Sequence, residues 1–169
     1  NAGAVDGVHN DPTPTPVSGP TVQHGRGAVM TSGLHHVALV CKSMKETVIF
    51  YEKALGLKLR SIFPMHGNPG AKHCFLEMGN GAEISFVEYP ETDLSNPNSN
   101  VPGSQHHFAF KCDSMEQFDA LRKQIASTGT KIMGPIDHEI CKSCYFFDPN
   151  GFQLEITCSK NEGQYGRDY

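Results

Sequence analysis

The sequence predicts an α+β fold made of two tandem βαβββ modules, and three observations support this prediction. The ten letters HHVALVCKSM at 35–44 return as HHFAFKCDSM at 106–115, 71 positions later. A second pair, KHCFLEMGNGAEIS at 72–85 and KSCYFFDPNGFQLE at 142–155, agrees at an offset of 70. Strand-like and helix-like segments follow the same order around both pairs. Register agreement over about fifty residues indicates an internal duplication.

The first module is expected over 33–90. It opens with the strand-like LHHVALVC and continues into a helix, SMKETVIFYEKALG. Ser43 and Glu46 have the spacing of a capping box at the start of this helix, and Gly56 ends it. Its apolar stripe consists of Val48, Tyr51 and Leu55. Three strand candidates follow, separated by Gly, Asn and Pro turns: LKLRSIF, KHCFLEM and AEISFVEY.

The second module, 105–160, repeats this order after a polar, Pro- and Asn-rich linker at 91–104. Ser114 and Gln117 form the capping box of its helix. Its strand candidates are HHFAFKC, TKIMGPI, KSCYFFD and FQLEITC. An Asn-Gly pair predicts a tight turn before the last strand of each module. Residues 1–32, rich in Pro, Gly and Thr, are expected to form an extended tail, and 161–169 a C-terminal tail.

The composition narrows the class of protein. The chain has 169 residues, 38% of them hydrophobic, which is enough for one globular domain with a core. A net charge of −4 without Lys/Arg clusters disfavours nucleic acid as a partner. We find no apolar run of the roughly 18–20 residues that a bilayer span needs. The six cysteines lie mostly in apolar runs, which predicts buried free thiols and favours a cytoplasmic location.

Four positions become candidates for a metal centre when the two modules are paired about a pseudo-twofold axis. Equivalent positions on the first and last strands then face each other, and the pairs are His36/His107 and Ser85/Glu155. Two histidines and one carboxylate with open positions are typical of non-haem Fe(II) oxygenases, and zinc is a close alternative. Glu155 interrupts an apolar strand, where an unpaired carboxylate is costly. The pattern therefore predicts a metal bound by one histidine of each module and by Glu155.

His35 and His106 precede these candidates by one residue and so point to the opposite face of their strands. The residues alone leave open which histidine of each pair faces the centre.

Three segments, HVALVCKSMKETVIFYEKALGLKL, HHFAFKC and YFFDPNGFQLEI, resemble the vicinal oxygen chelate superfamily. That superfamily contains glyoxalase I, the extradiol dioxygenases, and the bleomycin and fosfomycin resistance proteins. The resemblance covers residues 33–158 and implies a metal-centred, half-open, barrel-like sheet with the helices outside. It also implies that His36, His107 and Glu155 are the histidines and the glutamate that hold the metal.

The resemblance favours one branch of the superfamily. Glyoxalase I and related isomerases carry a fourth ligand, Glu or Gln, where this chain has Ser85. The remaining three ligands match Fe(II) extradiol dioxygenases, which cleave catechol-like molecules and use a tyrosine at a position comparable to Tyr145. Those enzymes also carry a catalytic histidine that 90–105 lacks. His138 is our candidate for it, because imidazole exchanges protons near neutral pH.

Several alternatives stay open. Mn(II)-dependent thiol transferases of the fosfomycin resistance type use the same three ligands, but they have Thr where this chain has Ala38. A glyoxalase-like lyase or isomerase, with Zn(II) or Ni(II), and a non-catalytic protein that sequesters a ligand are further candidates. A small-molecule substrate and a homodimer are expected, with no nucleic acid and no membrane. The sequence leaves open whether the modules pair within one chain or between two.

Overall fold

A computed structural model describes residues 31–65, 67–91 and 106–160. Residues 1–30 of the tail expected at 1–32, His66, residues 92–105, which include most of the linker expected at 91–104, and the C-terminal tail at 161–169 lie outside these residues. The first module consists of β1 (His36–Cys41), α1 (Met44–Leu55), β2 (Lys58–Met65), β3 (Asn68–Glu77) and β4 (Glu83–Glu88). The second consists of β5 (Phe108–Cys112), α2 (Met115–Ser127), β6 (Met133–Asp137), β7 (Cys141–Phe147) and β8 (Gln153–Ser159). The predicted α+β fold of two βαβββ modules is confirmed.

Each module forms one four-stranded mixed sheet. The strand orders are β1-β4-β3-β2 and β5-β8-β7-β6, with the first strand of each module parallel to its last. In the part of the chain that the structure describes, the two sheets remain separate and do not close into a barrel. The resemblance implied a half-open, barrel-like sheet with the helices outside. Over the described residues the structure has two separate four-stranded sheets that are not closed into a barrel.

The duplication is visible in the register of the two sheets. In each module the first, fourth and third strands place three residues side by side in one row across the sheet. The rows are Ala38–Ser85–Phe75 in the first module and Ala109–Glu155–Tyr145 in the second. The offsets read from the sequence thus correspond to equivalent positions in space.

Both helices begin after the capping serines that the sequence indicated, and α1 ends before Gly56 as predicted. Ser43 Oγ accepts a hydrogen bond from the Glu46 amide at 3.3 Å, and Ser114 Oγ accepts one from the Gln117 amide at 3.2 Å. These bonds satisfy amides that the first helical turn leaves unpaired. At the end of α1, Gly56 adopts the left-handed φ of 71°, which glycine takes up without a steric cost.

Each helix covers one face of its own sheet, and the core lies between them. Tyr51 and Leu55 of α1 belong to the same buried cluster as Cys74 and Phe86 of the first sheet. Five of the six cysteines are buried and all six are free thiols, in line with the sequence. Because side chains alternate along a strand, the residues between the core positions point to the other side. We call that side, opposite the helix, the open face of each sheet.

A buried turn joins the second module to the first helix. Asp148 Oδ1 accepts hydrogen bonds from the Asn150 and Phe152 amides at 2.8 and 2.9 Å, while Oδ2 accepts one from the Tyr51 hydroxyl at 3.2 Å. Asn150 Nδ2 also donates to Thr47 Oγ1 at 3.1 Å. Helices α1 and α2 pack against each other as well. The modules of one chain are therefore connected on their helical side.

Neither helix described has the length and apolarity to span a membrane.

The buried turn predicts a specific pH dependence of stability. Burial raises the pKa of the Asp148 carboxyl above its ordinary value of 3.8, so the folded state binds this proton more tightly than the unfolded state does. The stability that this group contributes is present at low pH and is lost as the pH rises from 3.8 through the folded pKa. The free energy of unfolding, relative to an Asp148→Asn variant, should fall over that window, by at most about 1.4 kcal/mol per pH unit. Chemical denaturation of both proteins across the acidic range measures this difference, and a pH-independent difference would contradict it.

Candidate metal centre

Two of the predicted ligands meet on the open face of the second sheet. Glu155 lies in β8 and His107 immediately precedes β5, the neighbouring strand. The distance from His107 Nε2 to Glu155 Oε2 is 2.7 Å. The ring of Tyr145, on β7, meets the His107 ring edge-on with centroids 5.6 Å apart. Strand pairing thus brings together three residues that the sequence selected.

The surroundings of Glu155 explain why this contact matters. Its side chain is 7% exposed, and its strand neighbours Leu154 and Ile156 are fully buried in the core. A carboxylate this far from water needs a hydrogen-bonding or charged partner. The imidazole of His107 is such a partner. Because 31% of the His107 side chain is exposed, the pair can be reached from solvent on the His107 side.

His138 joins the same group of residues through Tyr145. The distance from His138 Nε2 to the Tyr145 hydroxyl oxygen is 3.0 Å. The His138 amide donates to the Cys141 carbonyl at 2.9 Å, which fixes the turn between β6 and β7. Burial, followed by the negative charge of Glu155, raises the pKa of Tyr145 above 10.0. The contacts therefore run from His138 to Tyr145, from Tyr145 to His107, and from His107 to Glu155.

The third predicted ligand, His36, lies on the open face of the other sheet. It is exposed at the start of β1, its Nδ1 lies 2.9 Å from Nδ1 of His35, and its ring centroid is 5.5 Å from that of Phe75. Over 31–65, 67–91 and 106–160, no three His, Cys, Asp or Glu side chains form a group that could hold a metal ion. A single chain therefore does not bring His36 to the His107–Glu155 pair.

Ser85 occupies the position in the first sheet that Glu155 occupies in the second. Its side chain is fully buried, and its hydroxyl donates a hydrogen bond to the Val37 carbonyl at 3.1 Å. The hydroxyl is thus bonded to its own sheet. This contact agrees with a centre of three protein ligands instead of four.

The residues described suit a divalent metal. The donors are imidazole nitrogens and one buried carboxylate, a set that suits Fe, Mn and Zn ions. His107 and Glu155 already point at each other from adjacent strands. An ion between them would replace the direct contact of His107 with Glu155.

One feature of the open faces was not predicted from the sequence. Phe63, His73 and Phe75 form an aromatic cluster beside His36. The Nε2 atom of His73 is buried and has no hydrogen-bond partner. Burial, and then the proximity of His36, lowers the pKa of His73 below 6.5. The alternation in KHCF places His73 and Phe75 on one face, which is the signal that could have revealed the cluster.

The position of Ser85 leads to a test of the ligand count. A Ser85→Ala variant should lose about 1 kcal/mol of unfolding free energy, because one buried hydrogen bond is removed. Its affinity for divalent metal should equal that of the wild type, since the hydroxyl bonds to Val37. Denaturation curves and metal titrations of the two proteins measure both quantities. A weaker metal affinity in the variant would show that Ser85 belongs to the centre.

Comparison with known proteins identifies similar sequences. A family model described as the Glyoxalase/Bleomycin resistance protein/Dioxygenase superfamily matches residues 33–156. Glyoxylase I 4 of Arabidopsis thaliana is 27% identical over 129 residues, which are 74% of this chain and 70% of that protein. The putative ring-cleaving dioxygenase MhqA of Bacillus subtilis is 26% identical over 125 residues, 74% of this chain and 39% of that protein.

A solved structure has a similar fold. It is a mutant of the fosfomycin resistance protein FosX from Listeria monocytogenes, complexed with Mn(II) and 1S,2S-dihydroxypropylphosphonic acid. The TM-score is 0.59 at 22% identity, and the match covers 75% of this chain and 92% of that chain. At this identity the similarity shows the fold alone.

Proposed function

Because the chain belongs to the glyoxalase/bleomycin resistance protein/dioxygenase superfamily, we propose that it is a metal-dependent dioxygenase of the extradiol type. Its substrate is a small, catechol-like molecule with two adjacent oxygens. The observation that carries the proposal is the continuous series of contacts from His138 through Tyr145 and His107 to Glu155. This series supports the proposal because a histidine and a tyrosine, the candidate proton acceptor and hydrogen-bond donor, lie next to the two proposed ligands His107 and Glu155. The similarity to a putative ring-cleaving dioxygenase supports the same reaction type.

The metal centre in this proposal is shared between two copies of the chain. His107 and Glu155 come from one protomer, and the third ligand is His36 of the partner subunit. Each chain carries both parts on different sheets, so a twofold dimer completes two equal centres. The modules of one chain are connected through Asp148 and the helices, which leaves both open faces available for the second copy.

The chemistry of the site follows from the groups on the open face of the second sheet. When bound, a divalent ion such as Fe(II) supplies Lewis acidity towards the substrate oxygens and a redox link to molecular oxygen. The Tyr145 hydroxyl donates a hydrogen bond to a substrate oxygen and orients the ring. In the protein without substrate this hydroxyl lies 3.0 Å from His138 Nε2. Once the hydroxyl donates its hydrogen to the substrate instead of to His138, the Nε2 lone pair is free to accept a substrate proton, a role for which imidazole is suited near neutral pH. Ser85 adds no further ligand, which disfavours the four-ligand centre of glyoxalase-like lyases.

The shared centre predicts complementation between two inactive variants. His36→Ala and Glu155→Ala should each lose stoichiometric metal and oxygen uptake, while Glu77→Ala, a control for loss of a half-buried carboxylate that pairs with Arg60, should lose neither. When the two inactive variants are coexpressed, random pairing makes half the molecules heterodimers, each with one intact site. Activity should therefore recover to about a quarter of the wild-type value. Metal analysis and oxygen uptake of the coexpressed mixture measure this, and the heterodimer isolated by its two tags should show about half of the wild-type value. No recovery in either sample would mean that each site uses a single chain.

The proposed roles of His138 and Tyr145 predict distinct kinetic effects. His138→Gln should lower kcat for catechol by about 10²- to 10⁴-fold, because the proton acceptor is lost. Tyr145→Phe should raise KM as well, because the substrate loses one hydrogen bond. Oxygen uptake with catechol under Fe(II) gives both constants. Wild-type protein that holds stoichiometric metal and consumes a thiol under Mn(II), without oxygen uptake, would instead indicate a transferase.

A further inference from the structure

We infer that Phe63, His73 and Phe75 form a wall of the substrate site that receives a planar ring and hydrogen-bonds a polar substituent on it. We call these three residues the aromatic wall. The inference rests on the proposed function, because it assumes that the substrate binds beside His36. It goes further by assigning ring recognition to the first module, whereas the residues proposed for proton transfer belong to the second.

The geometry of the aromatic wall is that of a continuous ring surface. The Phe75 centroid lies 4.6 Å from that of His73 and 6.1 Å from that of Phe63, and the two phenyl rings are nearly parallel at 19°. The Phe63 and His73 centroids are 5.4 Å apart. Aromatic pairs interact at such distances. A planar ring of a substrate can therefore pack against this surface with the same favourable interaction energy.

The aromatic wall lies on the open face of the first sheet, next to His36. Phe63 is paired with His73 across β2 and β3, and Phe75 is paired with Ser85 across β3 and β4, so these side chains share one face. The His36 ring meets the Phe75 ring at 5.5 Å. Phe63 remains 42% exposed. A core packing role would place these rings towards α1, and they lie on the opposite side.

His73 provides the polar element. Its Nε2 atom is buried and unpartnered, whereas buried polar atoms in folded proteins are almost always hydrogen-bonded. The exposed Phe63 ring packs against the imidazole, and exposed side chains change rotamer within picoseconds to nanoseconds. A polar group on a bound ring can therefore reach this nitrogen and satisfy it.

The second module shows that this wall is a feature of one copy. The positions of His73 and Phe75 are occupied there by Ser143 and Tyr145, and Ile136 is paired with Ser143 as Phe63 is paired with His73. The Ser143 hydroxyl is within 3.0 Å of Thr157 Oγ1 and is thus bonded within its own sheet. These three positions all carry aromatic rings in the first module, whereas in the second module they carry an isoleucine, a serine and a tyrosine.

Isothermal titration calorimetry under exclusion of oxygen tests the inference. The affinities of catechol and of trans-1,2-cyclohexanediol are measured for the Mn(II)-loaded dimer and for the metal-free dimer. The two probes share adjacent oxygens, but only catechol has a planar ring. Phe75→Leu and Phe63→Leu should each weaken catechol binding about 2- to 12-fold and leave diol binding unchanged. His73→Phe should weaken 3,4-dihydroxybenzoate more than catechol. Ile49→Ala, an exposed apolar change on α1, is the control.

The outcomes separate this inference from the proposed function. If metal binds at Glu155 but both leucine variants bind catechol like the wild type, the aromatic wall is wrong and the metal centre stands. If no metal binds, yet catechol is preferred and the variants lose that preference, the wall stands and the dioxygenase proposal is wrong. Unfolding curves identify a leucine variant that does not fold. If one of the two fails to fold, the catechol affinity of the other leucine variant tests the aromatic wall.

Discussion

The buried carboxylate of Asp148 is the interaction on which the arrangement of the two modules depends. It holds the β7–β8 turn through two backbone amides and reaches Tyr51 on the first helix. These bonds, together with the packing of α1 on α2, connect the modules of one chain on their helical side. Each open face consequently carries only part of the proposed set of metal ligands. Burial of this carboxyl is costly in free energy. The two backbone amides, the Tyr51 hydroxyl and Asn150 Nδ2, which donates to Oδ2 at 3.0 Å, offset part of that cost.

Divergence between the two copies explains how one duplicated unit provides different chemical groups. The row Ala38–Ser85–Phe75 and the row Ala109–Glu155–Tyr145 are equivalent in register, yet only the second contains a carboxylate and a phenol. Ser85 is bonded to its own strand neighbour, whereas Glu155 faces His107. In the proposed centre this asymmetry leaves three protein ligands. Its other coordination positions would then be available to a substrate and to oxygen.

Local features of the fold could be predicted from the sequence because each has a local cause. The capping serines, the left-handed glycine after α1 and the alternation of core residues all act within a few positions. The contact between His107 and Glu155 could be predicted as well, because the repeat specifies which strands correspond. The position of β3 was less predictable: it begins at Asn68 instead of Lys72, since the turn residues pair with the end of β2. The separation of His36 from the other two ligands follows from contacts such as Tyr51–Asp148, 97 residues apart in sequence.

The central claim is that His107 and Glu155 of one protomer and His36 of the partner subunit bind one metal ion. Anomalous diffraction from crystals grown with Mn(II), collected at the manganese edge, tests it most directly. The account predicts one strong peak per protomer, within coordination distance of His107 and Glu155 and adjacent to His36 of the partner subunit. A peak coordinated by residues of one chain alone, or the absence of any peak at Glu155, would contradict it.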